Sequence, residues 1–185
     1  MEPKVKGRAL EGEGTKKFIS FTVGEEEYGL ELLRVREVIR VRETTWLPRA
    51  PSFVKGIINL RGDVIPIVDL RDKLGLPSRP AEADTRIIVV EVEARLIGMV
   101  VDSASQVVRI PAAQIDPPPL LLGGLPQEYI SGVGKLDDRL VTLVNVDRIL
   151  SGEERIALRR MDLPGEAPEP IAPADDGQCG QDAGP

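Results

Sequence analysis

Apolar and polar residues alternate in short runs along most of this chain, and turn-forming residues separate the runs. In residues 17–23, for example, Ile19, Phe21 and Val23 fall on one face of an extended segment. A period of two is typical of a half-buried β-strand. The same pattern, or a short apolar run between turn residues, predicts further strands at residues 27–30, 55–60, 64–69, 86–92, 96–101, 107–110, 130–136 and 140–145.

A few segments predict helices instead. The apolar residues of segment 31–39 are about one helical turn apart, which predicts a short helix. Residues 71–74 predict a single helical turn that Gly75 ends, and residues 146–160 predict a closing helix. Pro66 cannot donate a hydrogen bond to a neighbouring strand, so its strand is expected at a sheet edge or beside a bulge.

The chain contains an internal repeat. Residues 17–41 align with 86–110 without a gap, at an offset of 69, and residues 56–74 align with 132–150 at an offset of 76. Apolar positions, glycines and hairpin turns coincide in both alignments, which shared Val and Ile preference alone does not explain. The difference between the offsets predicts a seven-residue insertion in the second copy, in the loop of residues 117–126.

The repeat predicts two similar small β-barrels related by a pseudo-two-fold axis, the first over residues 15–80 and the second over residues 81–160 with the closing helix. The interlocked order of the repeats leaves strand exchange between the barrels open. A barrel of roughly 70 residues buries little surface alone, so we expect an apolar interface between the two. Residues 1–14 and the acidic, Pro-rich residues 161–185 are expected to be disordered.

Charge is distributed unevenly along the chain. The net charge is −6, and residues 161–185 hold six acidic residues and no Lys or Arg. The rest of the chain is therefore formally neutral. Aromatic residues make up only 3%. A neutral body without aromatic platforms is unsuited to binding nucleic acid, which argues against an oligonucleotide-binding barrel.

The residues needed for most enzyme chemistry are missing from the sequence. There is no histidine, and the single cysteine, Cys179, lies in the acidic tail. We therefore expect no catalytic site, no metal site, no cofactor and no intrachain disulfide. Asp137 and Asp138 are paired, but they fall in a predicted hairpin turn, where Asp is favoured for its geometry. A small-molecule enzyme is a distant alternative.

The sequence also has no apolar run of the 18 or so residues that a membrane helix needs and no apolar N-terminal stretch typical of a secretory signal. A cytoplasmic location is expected.

One segment carries a family resemblance. Residues 53–70 read FVKGIINLRGDVIPIVDL, which resembles the hallmark of the CheW chemotaxis adaptor family. Blocks at residues 21–39, 97–110 and 129–150 agree with it, and the similarity covers about residues 15–155. The acidic tail lies outside the family pattern.

The resemblance implies an all-β fold with a few short helices, consisting of two five-stranded, SH3-like barrels packed through a shared hydrophobic interface. It implies a non-catalytic adaptor that couples transmembrane chemoreceptors to the histidine kinase CheA. Such adaptors bind the kinase regulatory domain, which has the same fold, and the helical cytoplasmic tip of a methyl-accepting chemoreceptor. The closest alternative is an adaptor of a non-flagellar chemosensory pathway, controlling pili or development.

The resemblance also implies receptor-binding residues. Arg61, in the string Asn-Leu-Arg-Gly, matches a position tied to receptor coupling, and Val35 and Glu37 fall in the other receptor-linked stretch. A hairpin turn does not need Arg, and the repeat places Asp137 at the equivalent position, so Arg61 is the strongest candidate. Nearness in the repeat pattern adds Val38, Val100 and Val107.

For the kinase-binding end of the first barrel, the candidates are Gly56, Ile57 and Ile58. Each candidate also has a plainer interpretation. The added valines are the residues of an ordinary core, Glu37 suits a solvated face, and Gly56 suits a backbone constraint that Gly132 shares.

Overall fold

The computed structural model describes residues 14–119, 126–137, 139–161 and 163. Most of the predicted disorder, at residues 1–13 and 164–185, and most of the predicted insertion lie outside these residues. The strands are β1 (Thr15–Val23), β2 (Glu26–Glu31), β3 (Val35–Arg40), β4 (Val54–Leu60), β5 (Asp63–Asp69), β6 (Arg86–Val92), β7 (Arg95–Val101), β8 (Ser103–Pro111), β9 (Ile115–Asp116), β10 (Ile130–Leu136) and β11 (Arg139–Val144). The α-helices are α1 (Leu70–Lys73), α2 (Val146–Ile149) and α3 (Gly152–Arg159).

The strands form two sheets, which confirms the predicted all-β fold class. The first sheet has six strands in the order β8-β1-β2-β11-β10-β9, and the second has five in the order β3-β6-β7-β5-β4. Neighbouring strands are antiparallel, except that β2 and β11 run parallel in the first sheet and β5 and β7 do so in the second. The sixth strand of the first sheet is the two-residue β9.

The strand pairing reproduces the sequence repeat residue by residue. Phe18 lies opposite Glu31 between β1 and β2, and the residues 69 positions later, Ile87 and Val100, lie opposite each other between β6 and β7. The bulge between Val54 and Gly56 in β4 recurs 76 residues later, in β10.

Each copy is divided between the two sheets: β1 and β2 of the first copy join β8–β11 of the second in one sheet, and β6 and β7 of the second copy join β3–β5 of the first in the other. β3, from the first copy, pairs with β6 of the second sheet, and its repeat mate β8 pairs with β1 of the first sheet. Each sheet therefore takes strands from both sides of residue 80, and a cut there does not separate the two sheets. This division explains why the equivalent connections after β2 and β7 cross from one sheet to the other.

A central hydrophobic core lies between the sheets. It includes Ile19, Phe21 and Leu30 from the first sheet and Ile88 and Val90 from the second, all with less than a tenth of their surface exposed. Two smaller clusters fill the remaining sheet faces, one centred on Ile65, Ile67, Ile87 and Val89 and the other on Phe18, Val108, Ile110, Val141 and Leu143.

The helix predicted over residues 31–39 is wrong. Only Leu32–Arg34 forms a 3-10 turn, and the segment continues as β3. Val38 packs against the central core, whereas the next residue, Ile39, packs against the cluster inside the second sheet. Because both faces of β3 contact a core, the apolar spacing imitates a helix while pairing with β6 holds the segment extended.

Pro66 is not in an edge strand, because β5 lies between β4 and β7. The parallel pairing with β7 begins only at Ile67, so the missing N–H of Pro66 removes no bond of that ladder. The bulge is one strand away, at Lys55 in β4.

The closing helix is two helices. Asn145 caps α2 by accepting a hydrogen bond from the Asp147 N–H at 3.0 Å, and α3 begins with its own capping box of Ser151 and Glu154. Beyond α3, Met161 is buried in the central core, so the packed chain extends past residue 160. None of the helices in the described residues is long and apolar enough to cross a bilayer.

Candidate functional site

Arg61 lies at the tip of the hairpin between β4 and β5. Leu60 and Asp63 are paired, so Arg61 and Gly62 form a two-residue turn with φ angles of +56° and +101°. Two positive φ values in succession are the geometry of a type I′ turn, which matches the twist of the strands it joins. The Asn59 side chain accepts a hydrogen bond from the Gly62 N–H at 3.0 Å and fixes the turn.

Folding brings Arg61 next to Glu37 of β3. The guanidinium Nη2 lies 3.3 Å from Glu37 Oε2, and the Arg61 side chain keeps 79% of its surface exposed. Such an exposed ion pair contributes little to stability. The cation therefore remains accessible to a partner, which suits a binding role.

The edge strand β3 presents different chemistry on its two faces. Val35 and Val38 are partly buried and pack against the central core. Glu37 lies opposite Val89, which belongs to the cluster inside the second sheet. The predicted receptor-binding residues of β3 therefore divide between the two faces.

Val107 of β8 is the repeat mate of Val38. It lies opposite Ile19, a residue of the central core, but half of its own surface is exposed. Ala104, the mate of Val35, lies opposite Phe21 and also packs partly buried against this core. We call the set of Val35, Val38, Ala104 and Val107 the central margin.

The central margin is apolar and has the pseudo-symmetry of the repeat. The sequence prediction missed Ala104, although its alignment with Val35 was the signal that identifies it. Val100 is not part of the margin, because it packs half-buried against the cluster inside the second sheet.

The candidates for kinase binding lie inside the protein. Ile57 and Ile58 are 8% and 4% exposed. Gly56 is also buried, with φ at +153°, and a Cβ there would come within 2.9 Å of the Thr45 carbonyl oxygen. These three residues therefore cannot present side chains to a partner, and they act on the surface only by shaping it.

A large exposed apolar residue beside this strand is Trp46, with 73% of its surface accessible. Thr45 forms an isolated bridge to Ile57, with both N–H to O distances at 2.9 Å, so the strand β4 positions the tryptophan. The sequence prediction missed Trp46. Its being the single tryptophan of the chain was the available signal.

A mostly buried ion pair joins α1 to the segment between β7 and β8 and to the β1–β2 turn. Arg71 of α1 donates from Nε and Nη2 to Asp102, at 2.7 and 2.6 Å, and Asp102 also accepts from the Gly24 N–H at 2.8 Å. The hydrogen bonds from Arg71 lower the pKa of Asp102. This pair is structural, since its members are mostly buried.

The described residues hold no cluster of three or more His, Cys, Asp or Glu side chains placed to bind a metal ion. A cleft with a volume of about 290 Å³ lies between the β4–β5 turn and α3, lined by Asp63, Val64, Arg95, Leu158 and Leu163 among others.

Comparison with known proteins gives a consistent result. The CheW-like domain family matches residues 17–154. The chemotaxis protein CheW of Klebsiella aerogenes is 39% identical over 139 residues, which is 75% of this chain and 84% of that protein. Protein FrzA of Myxococcus xanthus is 32% identical over 154 residues, covering 82% of this chain and 96% of that protein.

A solved structure agrees with the sequence relatives. The scaffolding protein TtCheW from Thermoanaerobacter tengcongensis superposes with a TM-score of 0.68 at 32% identity, covering 82% of this chain and 95% of that one. The family match over residues 17–154 contains all the predicted receptor-binding and kinase-binding residues.

Proposed function

Because this chain belongs to the CheW-like domain family, whose relatives named above are chemotaxis and scaffolding proteins, we propose that it couples chemoreceptors to a CheA-type histidine kinase. It binds both at once, in the cytoplasm at membrane-associated receptor arrays, and performs no chemistry itself. The family match over residues 17–154 is the observation that carries this proposal.

The receptor tip binds at the central margin and at Arg61. A helical tip places apolar residues along one face, and an apolar surface between two elements accepts such a face. The exposed positions of Val107 and Arg61 and the partial exposure of Val35 and Val38 support this assignment. Glu37 acts with Arg61 because it lies within ion-pair distance of it. Val100 does not contact the receptor and supports this surface by packing inside the second sheet.

The kinase regulatory domain binds at the end of the second sheet near β4. Gly56, Ile57 and Ile58 form the buried support of this surface, and Trp46 supplies its exposed aromatic anchor. Tryptophan is enriched among residues whose truncation weakens interfaces most. The kinase domain has the same fold as the adaptor, so the two can alternate around a ring.

The adaptor couples receptor and kinase by stabilising one of their arrangements relative to another. An adaptor that binds one receptor–kinase arrangement better than another shifts the balance by that difference, about 1–3 kcal/mol in typical allosteric systems. Each contact is weak alone, and neighbours already bound in an array raise the effective concentration of the next.

A second candidate is the same adaptor in a non-flagellar chemosensory pathway, since protein FrzA, which the chain matches over almost all of its length, is not named as a chemotaxis protein. A pull-down from the native cytoplasm distinguishes the two by the kinase and receptors recovered. The surfaces are the same in both.

The test of the receptor assignment is Arg61→Ala in a reconstituted receptor–kinase assay. Receptor-dependent kinase activation should fall severalfold, while the unfolding free energy stays within about 0.5 kcal/mol of the parent because the side chain is exposed. Arg139→Ala is the matched control: Arg139 lies in the equivalent hairpin and forms one 3.3 Å ion pair, with Glu27. Full activation by Arg61→Ala, or an equal loss in the control, refutes the role of Arg61.

A further inference from the structure

Two pairs of cations face each other across neighbouring strands. Arg40 of β3 lies directly opposite Arg86 of β6, and Lys17 of β1 lies directly opposite Arg109 of β8. These pairs occupy equivalent positions in the two copies, since Lys17 aligns with Arg86 and Arg40 with Arg109 at the offset of 69. Like charges directly opposite destabilise a sheet, and here the same cost occurs twice.

The cations extend the rows of the central margin. Side chains two residues apart on a strand share a face, so Arg40 follows Val38 and Arg109 follows Val107. The apolar margin therefore continues into positive charge on both sheets.

Within the described residues these charges are not neutralised. Lys17, Arg40 and Arg109 form no ion pair there, although other exposed cations, such as Arg36 with Glu91, are paired. Arg86 donates to the carbonyl oxygens of Ala83 and Thr85, at 2.7 and 2.9 Å, and so keeps its charge uncompensated.

The anion that fits is carried by the chain itself. Residues 164–185 contain five acidic residues, Glu166, Glu169, Asp175, Asp176 and Asp182, and no Lys or Arg. This segment starts after Leu163, which packs against the central core and lies in the cleft beside Arg95.

The geometry permits contact. Arg95 is paired with Val92, at the far end of β6 from Arg86, and a strand of this length spans about 20 Å. An extended chain advances about 3.3 Å per residue. The six residues from Leu163 to Glu169 are therefore about as long as β6 when extended, and the twelve residues from Leu163 to Asp175 are about twice as long.

We propose that residues 164–185 bind intramolecularly to the cation pairs Arg40/Arg86 and Lys17/Arg109 and so cover the central margin. This deepens the proposed function, because a receptor tip must then displace the acidic segment. Each ion pair is weak at an exposed site, but a tethered segment acts at an effective concentration in the millimolar range. The cover is therefore reversible and sensitive to salt.

The single cysteine, Cys179, allows a spin label to be attached to the acidic segment of the full chain without any substitution. A nitroxide on Cys179 broadens the NMR signals of amides that the acidic segment approaches. At about 0.01 M salt, broadening should be strongest at the amides around Lys17, Arg40, Arg86 and Arg109. It should disappear at about 1 M salt, where the screening length falls from about 30 Å to about 3 Å.

Two variants locate the contact. Arg40→Gln with Arg109→Gln removes one cation from each pair and should abolish the broadening, whereas Arg79→Gln with Lys135→Gln, which removes two exposed cations elsewhere, should leave it. Asp175→Asn with Asp176→Asn must reduce it as well, without any change in the packed domain.

Several results overturn the proposal: uniform or absent broadening at low salt, persistence in Arg40→Gln/Arg109→Gln, or broadening that arises only between molecules. The last is detected by mixing isotope-labelled chain without nitroxide and unlabelled chain that carries it. No receptor or kinase is present, so failure here leaves the adaptor function itself untouched.

Discussion

At the residue scale, the backbone geometry at position 61 does not explain why its side chain is an arginine. Its φ of +56° belongs to a turn position that Asn fills best, followed by Gly. Turn preference accounts for Gly62 and not for a cation at position 61. The arginine therefore points to a role outside the fold, in agreement with its exposure.

The aligned glycines of β2 and β7 have a different explanation, which is space. A Cβ at Gly98 would lie 2.5 Å from Ile67 Cδ1 and 2.8 Å from Ile87 Cγ2. A Cβ at Gly29 would meet Leu143 Cδ2 at 2.9 Å and Val141 Cγ1 at 3.0 Å. A methyl group at either parallel strand contact would therefore collide with neighbouring side-chain atoms, more closely at Gly98 than at Gly29.

This difference predicts an order of stability. Gly98→Ala should lower the unfolding free energy by about 1–3 kcal/mol, because the isoleucines must move to accept the methyl group, and Gly29→Ala should lower it by less. Urea titration of both variants measures the two losses. An equal loss, or a larger one for Gly29→Ala, contradicts the packing described for the cluster inside the second sheet.

At the scale of elements, α3 is part of the domain core. Its Leu158 is 4% exposed within the central core, whereas Ile156 on the same helix is 50% exposed. Arg95 of β7 donates to the Leu158 carbonyl oxygen at 2.7 Å, which attaches the helix to the second sheet.

Leu158→Ala should therefore cost about 2–5 kcal/mol, as for other large-to-small changes in a core. Ile156→Ala should change the unfolding free energy by no more than about 0.5 kcal/mol. Both values come from chemical denaturation of the full chain. Equal effects would mean that α3 is only loosely attached to the sheets.

At the scale of the whole molecule, the division of each copy between the two sheets makes them one folding unit. A fragment that ends at residue 80 has β3 without β6, and the remainder has β8 without β1. Each fragment also lacks the residues that the other fragment contributes to the central core.

We expect fragments 1–80 and 81–185, produced separately, to lack the dispersed amide spectrum of a folded protein. When mixed, they should recover it, because the missing pairing and the central core form together. A fragment that folds alone would show that the strands of the other copy are dispensable for its fold.

The ion pair of Arg71 and Asp102 gives this unit a pH dependence. Hydrogen bonding to Arg71 lowers the pKa of Asp102, and Lys55 lowers that of Asp72 in the same way. A lowered pKa in the folded state stabilises the fold above the unfolded value, and this stability is lost as the pH falls through the folded pKa. Burial raises the pKa of Asp69, which acts in the opposite direction and offsets part of the effect.

Asp102→Asn should thus lower the unfolding free energy by about 2–3 kcal/mol at neutral pH, since Arg71 loses a charged hydrogen-bond partner. The variant should also lose less stability than the parent between neutral pH and about pH 3. Urea midpoints across this range test both statements. Parallel curves for variant and parent would exclude Asp102 as a source of the acid sensitivity.

Local pattern was sufficient for much of the fold. Strands and hairpins follow from alternation and turn residues, because both depend on neighbours in the chain. The repeat was also visible in the sequence, and the strand pairs that it relates have the same register in the structure. The family resemblance supplied Arg61 and Glu37 as candidates, and folding placed them 3.3 Å apart.

Tertiary structure alone decided the rest. Most of segment 31–39 is a strand because it pairs with β6 and packs against a core on each face. The spacing of its own apolar residues does not indicate either contact. Ile57 and Ile58 are buried because distant strands cover them. The division of each copy between the two sheets also depends on contacts between residues far apart in sequence, whose free energy is gained only when the two copies pack together.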